Sequence, residues 1–272
     1  MTTIEEPDDI ESSKAPLIDH IVELRNRLMY AAIALVVAFI GCYIVADEIY
    51  GFLTKPLADA LGDQEGRRMI YTALHEAFFT YIKVAFWAAC FIAFPVVAGQ
   101  LYMFAAPGLY KHERRAFLPF LIATPFLFFT GGAMVYYLIM PLAWQFFLGF
   151  ETEAVAGGLA IQLEPKVNEY LSLVMKLIFA FGICFQLPVL LTLLARAGIA
   201  TSEGMKAKRK YAVVAVFIVA AVLTPPDPIS QISLAVPILV LYEISILCAR
   251  VVERKAKERQ AAEDAAEDAD ED

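Results

Sequence analysis

Six long apolar runs, separated by shorter polar segments, set the pattern of this chain: residues 28–46, 78–104, 117–144, 170–195, 211–223 and 232–248. An apolar run of about 20 residues spans about 30 Å of hydrocarbon as an α-helix, so the pattern predicts an all-α polytopic membrane protein with six transmembrane helices. Ahead of the first run, Leu17, Ile21, Leu24 and Leu28 recur at helical spacing, while His20, Glu23 and Arg27 share the other face. That spacing predicts an amphipathic helix over 17–27 that lies at the membrane surface and feeds the first span.

Between the runs, 47–77 and 145–169 are mixed in character and long enough for small structured caps outside the membrane. The fifth run, 211–223, is short. Its 13 residues cover about 20 Å against a hydrocarbon core of about 30 Å. Two outcomes fit: the bilayer thins or water enters a concavity beside the last two helices, or 206–210 continue the helix and their cations snorkel to the interface. Pro95, Pro119, Pro125, Pro188 and Pro237 fall inside apolar runs and each removes a helical hydrogen bond. A kinked, concave bundle is expected rather than a straight one. Lys83 and Lys176 lie near the external ends of their spans, where snorkelling accounts for them.

Composition sharpens the class. The chain is 60% hydrophobic and 19% charged, with mean hydropathy of +0.62, which is more apolar than a soluble domain of this length requires. The net charge of −8 carries little information about partners, because acids crowd the two ends. Residues 1–16 and 251–272 are read as charged, disordered tails around a transmembrane domain over 17–250. No secretory or transit signal is expected in 1–16. Cys42, Cys90, Cys184 and Cys248 each sit inside an apolar run without ligand spacing, and read as small core hydrophobes. Lysine and arginine settle the orientation: 16 lie on the side carrying both termini and only 4 opposite, which predicts both ends in the cytoplasm.

The chemistry concentrates at that cytoplasmic side. Leu109-Tyr110-Lys111-His112-Glu113-Arg114-Arg115 is a charged knot between two spans. Glu113 and Glu23 admit two readings. They are ordinary solvated charge, or they are two carboxylates held at the interface as a receptor for neighbouring cations, for which guanidinium suits best because its planar fork binds a carboxylate in bidentate fashion. Glu23 and Arg25 are two residues apart, about 200° around a helix, so they serve different partners. Two charge-assisted pairs contribute roughly 1.5–3 kcal/mol each, so packing of an apolar segment has to supply the rest of any useful affinity. Glu243, inside the last run, either faces the cavity or lies at the cytoplasmic end near Arg250.

Four stretches then match a known family in order and spacing. They are His20-Ile21-Val22-Glu23-Leu24-Arg25, the 109–115 knot, Phe181-Gly182 through Gln186-Leu187-Pro188-Val189, and Leu223-Thr224-Pro225-Pro226-Asp227. Over about 17–250 the chain resembles the TatC family, the six-span receptor subunit of the twin-arginine protein translocase. The resemblance implies a bacterial inner-membrane protein that recognises twin-arginine signal peptides of folded precursors together with TatB, recruits TatA, and draws on the proton motive force. It implies further that Glu23 and Glu113 bind the signal peptide, that Arg25, Arg114, Arg115 and Phe104 belong to the same patch, and that Pro56 and Asp227 are functionally sensitive. Many members carry glutamate where this chain has Gln186, which cannot titrate.

Membrane lipid and further copies of the chain are expected partners. No cofactor, metal, nucleic acid or enzymatic activity is expected, since the sequence carries no nucleophile motif, phosphate loop or metal-ligand spacing. A secondary transporter and a membrane scaffold that never contacts cargo are the competing classes.

Overall fold

The computed structural model describes residues 8–62, 68–105, 114–152, 159–224 and 228–271. Among them the structure is helical apart from turns and two isolated bridges, Ile70 with Lys166 and Thr152 with Ile161. Residues Met1–Ala46 and Ala85–Pro125 form one compact unit, and Asp47–Val84 with Phe126–Asp272 form a second.

The first unit holds α1 (Asp8–Ile44), most of α3 (Glu76–Ala105) and the first half of α4 (Arg114–Met134). From Leu17 to Ile40 no glycine or proline interrupts α1, so the predicted amphipathic helix and first span merge into one rod. Only 6% of its apolar window is buried by protein, and Ile33, Val37, Ile40 and Ile44 are all exposed. An apolar helix so little covered by its own chain is a helix made for lipid. Tyr102 and Thr124 join α3 to α4 through their hydroxyls, 3.1 Å apart.

The second unit begins with α2 (Ala46–Leu61), which ends where Gly62 turns left-handed at φ +68° and returns its amide to Ala58 C=O at 3.1 Å. Five-residue hydrogen bonding interrupts the third apolar run: a π turn over Val135–Ile139 separates α4 from α5 (Met140–Leu148), next to Pro141, which has no amide to continue the ladder. The fourth run divides as well, into α6 (Val167–Cys184) and α7 (Leu187–Arg196). Pro188 offers no donor to Cys184 C=O, and the turn closes instead through Gln186 N–H to Ile183 C=O at 2.9 Å. Pro95 and Pro237 stay inside continuous helices.

Two glycines bring α4 and α6 together. Gly182 faces the ring of Phe128, and Gly131 faces the backbone of Phe181. Phe128 and Phe181 are fully buried there. Toward the C-terminus, α8 (Ser202–Ala207), α9 (Arg209–Leu223) and α7 all pack along α10 (Pro228–Glu271). Glu253 of α10 accepts both the amide and the hydroxyl of Ser202 at 2.6 Å, and Tyr242 donates to Met205 C=O at 2.8 Å. These bonds fix the basic loop before α9.

Among the described residues, five helical stretches are long and apolar enough to cross a membrane: His20–Ile44, Glu76–Phe104, Phe120–Leu148, Val167–Arg196 and Ser230–Glu258. The fifth predicted span falls short of that length. α9 has 15 residues, about 22 Å, and Lys208 breaks it from α8, so only Arg209 and Lys210 extend it. The tails differ from expectation too. Helix α1 starts at Asp8 and α10 continues to Glu271, where coil was expected. Beyond Pro237 the sequence has no glycine or proline and is rich in Ala, Glu, Lys and Arg, all strong helix formers. Arg254 adds a pair with Glu258 at 2.7 Å.

Candidate functional site

In the first unit, α1 and the end of α3 build a small polar cluster. Glu23 Oε1 lies 3.3 Å from Arg27 Nη2, one turn along α1, with both side chains about one-third exposed. The same guanidinium reaches across to α3, donating from Nη1 toward Gln100 Oε1 and Met103 Sδ, each at 3.4 Å. One turn before Glu23, the His20 ring stacks on Phe104, centroids 4.4 Å apart and planes 24° from parallel. Glu23, Arg27, Val22, Asn26 and Tyr30 line a recess that is open on one side. Arg25 is not among the lining residues, and its Nη2 donates to the neighbouring Asn26 Oδ1 at 3.3 Å.

The recess can therefore present a carboxylate to an incoming cation. Glu23 already holds a guanidinium, so it is matched to that group in charge and reach. The aromatic pair beside it offers a flat apolar surface for whatever follows the cation. The sequence reading placed His20, Glu23 and Arg27 on one face without seeing that Arg27 would be the partner of Glu23. The Glu-to-Arg spacing of four residues was the signal.

Other predicted residues lie elsewhere. Glu113 and Asp227 fall outside the described residues, and Arg114 and Arg115 are described only as the backbone that opens α4. Pro56 is buried inside α2. Gln186 sits in the turn between α6 and α7 and donates to Gly182 C=O at 3.3 Å. Glu243 pairs with Arg209 of α9, which answers the question left by the sequence: it belongs to the end carrying the basic loop.

A polar hub in the second unit escaped sequence reading. Glu76 Oε2 accepts the amides of Thr72 and Ala73 at 2.8 and 3.3 Å, and its Oε1 accepts that of Asn168 at 3.4 Å. Asn168 also takes the Lys83 ammonium at 2.7 Å, so this lysine does reach the polar end of its span. No group of three or more His, Cys, Asp or Glu side chains able to hold a metal occurs among the described residues.

Comparison with known proteins gives this arrangement a context. Residues 19–237 match the family described as Sec-independent protein translocase protein (TatC). The chain belongs to the TatC family. It is 54% identical over 257 residues to the Sec-independent protein translocase protein TatC of Magnetococcus marinus, covering 94% of this chain and 92% of that protein. The TatC of Escherichia coli K12 is 39% identical over 245 residues, covering 90% and 92%. Among solved structures, the crystal structure of the twin arginine translocase receptor TatC superposes with a TM-score of 0.73 at 34% identity, covering 86% of this chain and 99% of that one. The chain is thus a multi-pass membrane subunit of the Tat translocase, which works in a complex with other Tat subunits. It is a translocation component and not an enzyme, and the transporter reading gives way to the family.

Proposed function

We propose that this chain is the signal-peptide receptor of its translocase, and that Glu23 is one of two carboxylates that bind the twin-arginine motif. The carrying observation is the Glu23–Arg27 pair at the mouth of the recess. It is a guanidinium on the carboxylate in question, loose enough to exchange because both groups are partly solvated. Glu113 is the second carboxylate, with Arg114, Arg115 and Arg25 keeping the patch cationic overall and Phe104 supplying the apolar contact. The charge asymmetry of the loops supports six spans with both termini in the cytoplasm of a bacterial inner membrane. The remaining steps, cooperation with TatB, recruitment of TatA, association of several copies and use of the proton motive force, are proposed from the family.

Among the outlying residues, Gln186 provides a hydrogen-bonding contact for a partner subunit's helix and takes no part in proton transfer, because an amide does not titrate at physiological pH. Gln186→Leu should weaken crosslinking to that subunit; unchanged crosslinking and export would remove the role. Asp227 and Pro56 act on the external side.

Site-specific photocrosslinking from positions 23 and 113 to signal peptides bearing Arg-Arg or Lys-Lys tests the receptor reading. Crosslinks that fall sharply with Lys-Lys support it. Equal crosslinks, or none, would make the patch topogenic charge and leave the protein a scaffold.

A further inference from the structure

The resemblance marks Pro56 as sensitive without saying what it does, and the second unit supplies a physical reason. A proline has no amide hydrogen, so the carbonyl four residues earlier, Phe52 C=O, loses its helical donor, and the ring pushes that carbonyl outward. A carbonyl in this state is satisfied by water or by a donor from elsewhere in the chain. Tyr136, from the π turn, provides it, donating its hydroxyl to Phe52 C=O at 2.8 Å. Its ring lies flat on the Phe52 ring, centroids 4.2 Å apart and planes 2° from parallel. One residue on, Tyr170 of α6 donates to Leu53 C=O at 3.0 Å. Tyr170 is 6% exposed and packs on the Trp144 indole at 5.3 Å, so its hydroxyl has little freedom to turn away.

We infer that Pro56, Tyr136 and Tyr170 form a latch, in which the proline leaves Phe52 C=O without its helical donor, the Tyr136 hydroxyl takes that carbonyl and the Tyr170 hydroxyl takes Leu53 C=O beside it, fixing the pose of α2 on the core of the second unit. What position 56 requires is therefore the missing N–H and not the ring. Tyr136 and Tyr170 are positioning residues: they hold α2 for translocation and do not touch the signal peptide. The latch does not depend on the receptor reading, and the measurements keep the two apart.

The test uses the full-length chain co-expressed with its Tat partners. Pro56→Ala restores the amide, whereas lactic acid placed at position 56 by nonsense suppression differs from alanine only in having an ester oxygen there. Three readouts are taken: hydrogen exchange of α2, export of a Tat reporter normalised to the chain in the membrane, and signal-peptide binding. Pro56→Ala should lower both α2 protection and export by about tenfold, and lactic acid should bring both back to within about twofold of wild type. That rescue should vanish in a Tyr136→Phe background, with peptide binding unchanged in every variant. The latch is overturned if Pro56→Ala behaves as wild type, if lactic acid is no better than alanine, if rescue persists without the Tyr136 hydroxyl, or if peptide binding falls in step with export. A loss of binding confined to Glu23 variants bears on the receptor alone.

Discussion

Gly131 and Gly182 let α4 and α6 approach closely, and adding one methyl group to either tests how tightly. A Cβ at Gly182 would sit 2.5, 2.7 and 3.0 Å from three ring carbons of Phe128. That ring is fully buried and edge-on to Phe129 and Phe179, at 6.0 and 5.7 Å, so it has no open direction in which to yield. A Cβ at Gly131 would come within 2.8 Å of Phe181 C=O, a backbone atom that moves only if the helix moves. Overpacking of this kind costs about 1–3 kcal/mol, whereas glycine to alanine inside a helix returns about 0.5–1 kcal/mol. Gly182→Ala should lose about 1–2 kcal/mol net, and Gly131→Ala should lie at the upper end of that range. Gly99→Ala is the control, since nothing lies within 4 Å of a Cβ there, and it should be neutral or slightly stabilising. Thermal unfolding in detergent micelles compares the three. Adding Phe128→Leu should recover part of the loss in Gly182→Ala but none in Gly131→Ala. If Gly182→Ala and Gly131→Ala were as stable as Gly99→Ala, the close crossing would be wrong.

Further outcomes follow from other contacts. Arg27→Gln frees Glu23 from its internal guanidinium, so a twin-arginine peptide should bind about two- to fivefold more tightly, the worth of a partly exposed pair; weaker binding in a titration would instead make Arg27 a structural prop. Glu253→Ala removes both acceptors of Ser202 and should cost about 2 kcal/mol locally, read as faster proteolysis within 196–210; unchanged cleavage would show that the loop is held by other contacts. Lengthening α9 by four residues should return the bilayer beside it to bulk thickness in simulation or scattering, whereas no local thinning around the natural helix would dismiss the mismatch.

How much of this was legible in the sequence depends on the distance over which each feature acts. Five of the spans were legible because apolar runs and helix length are local, and so was the shortness of α9. The prolines announced an interruption at 185–186, but a break rather than a kink needed the turn that Gln186 closes. At the C-terminal end, high charge was given more weight than helix propensity, although after Pro237 Ala, Glu and Lys without glycine or proline favour helix on their own. The face shared by Glu23 and Arg27 was visible, but the reach of Arg27 to Gln100 and Met103 crosses 73 and 76 residues of sequence. The tyrosines that meet α2 come from 84 and 117 residues away, and nothing local to Pro56 foretells them.

The central claim, that Glu23 reads a guanidinium, is tested most directly by titrating Arg-Arg and Lys-Lys signal peptides against wild-type and Glu23→Gln protein in lipid nanodiscs. Wild type should prefer Arg-Arg by about tenfold or more, a difference of about 1.4 kcal/mol. Glu23→Gln should lose that preference mainly by binding Arg-Arg more weakly. An Arg-Arg to Lys-Lys ratio that stays the same without the Glu23 carboxylate would contradict the account.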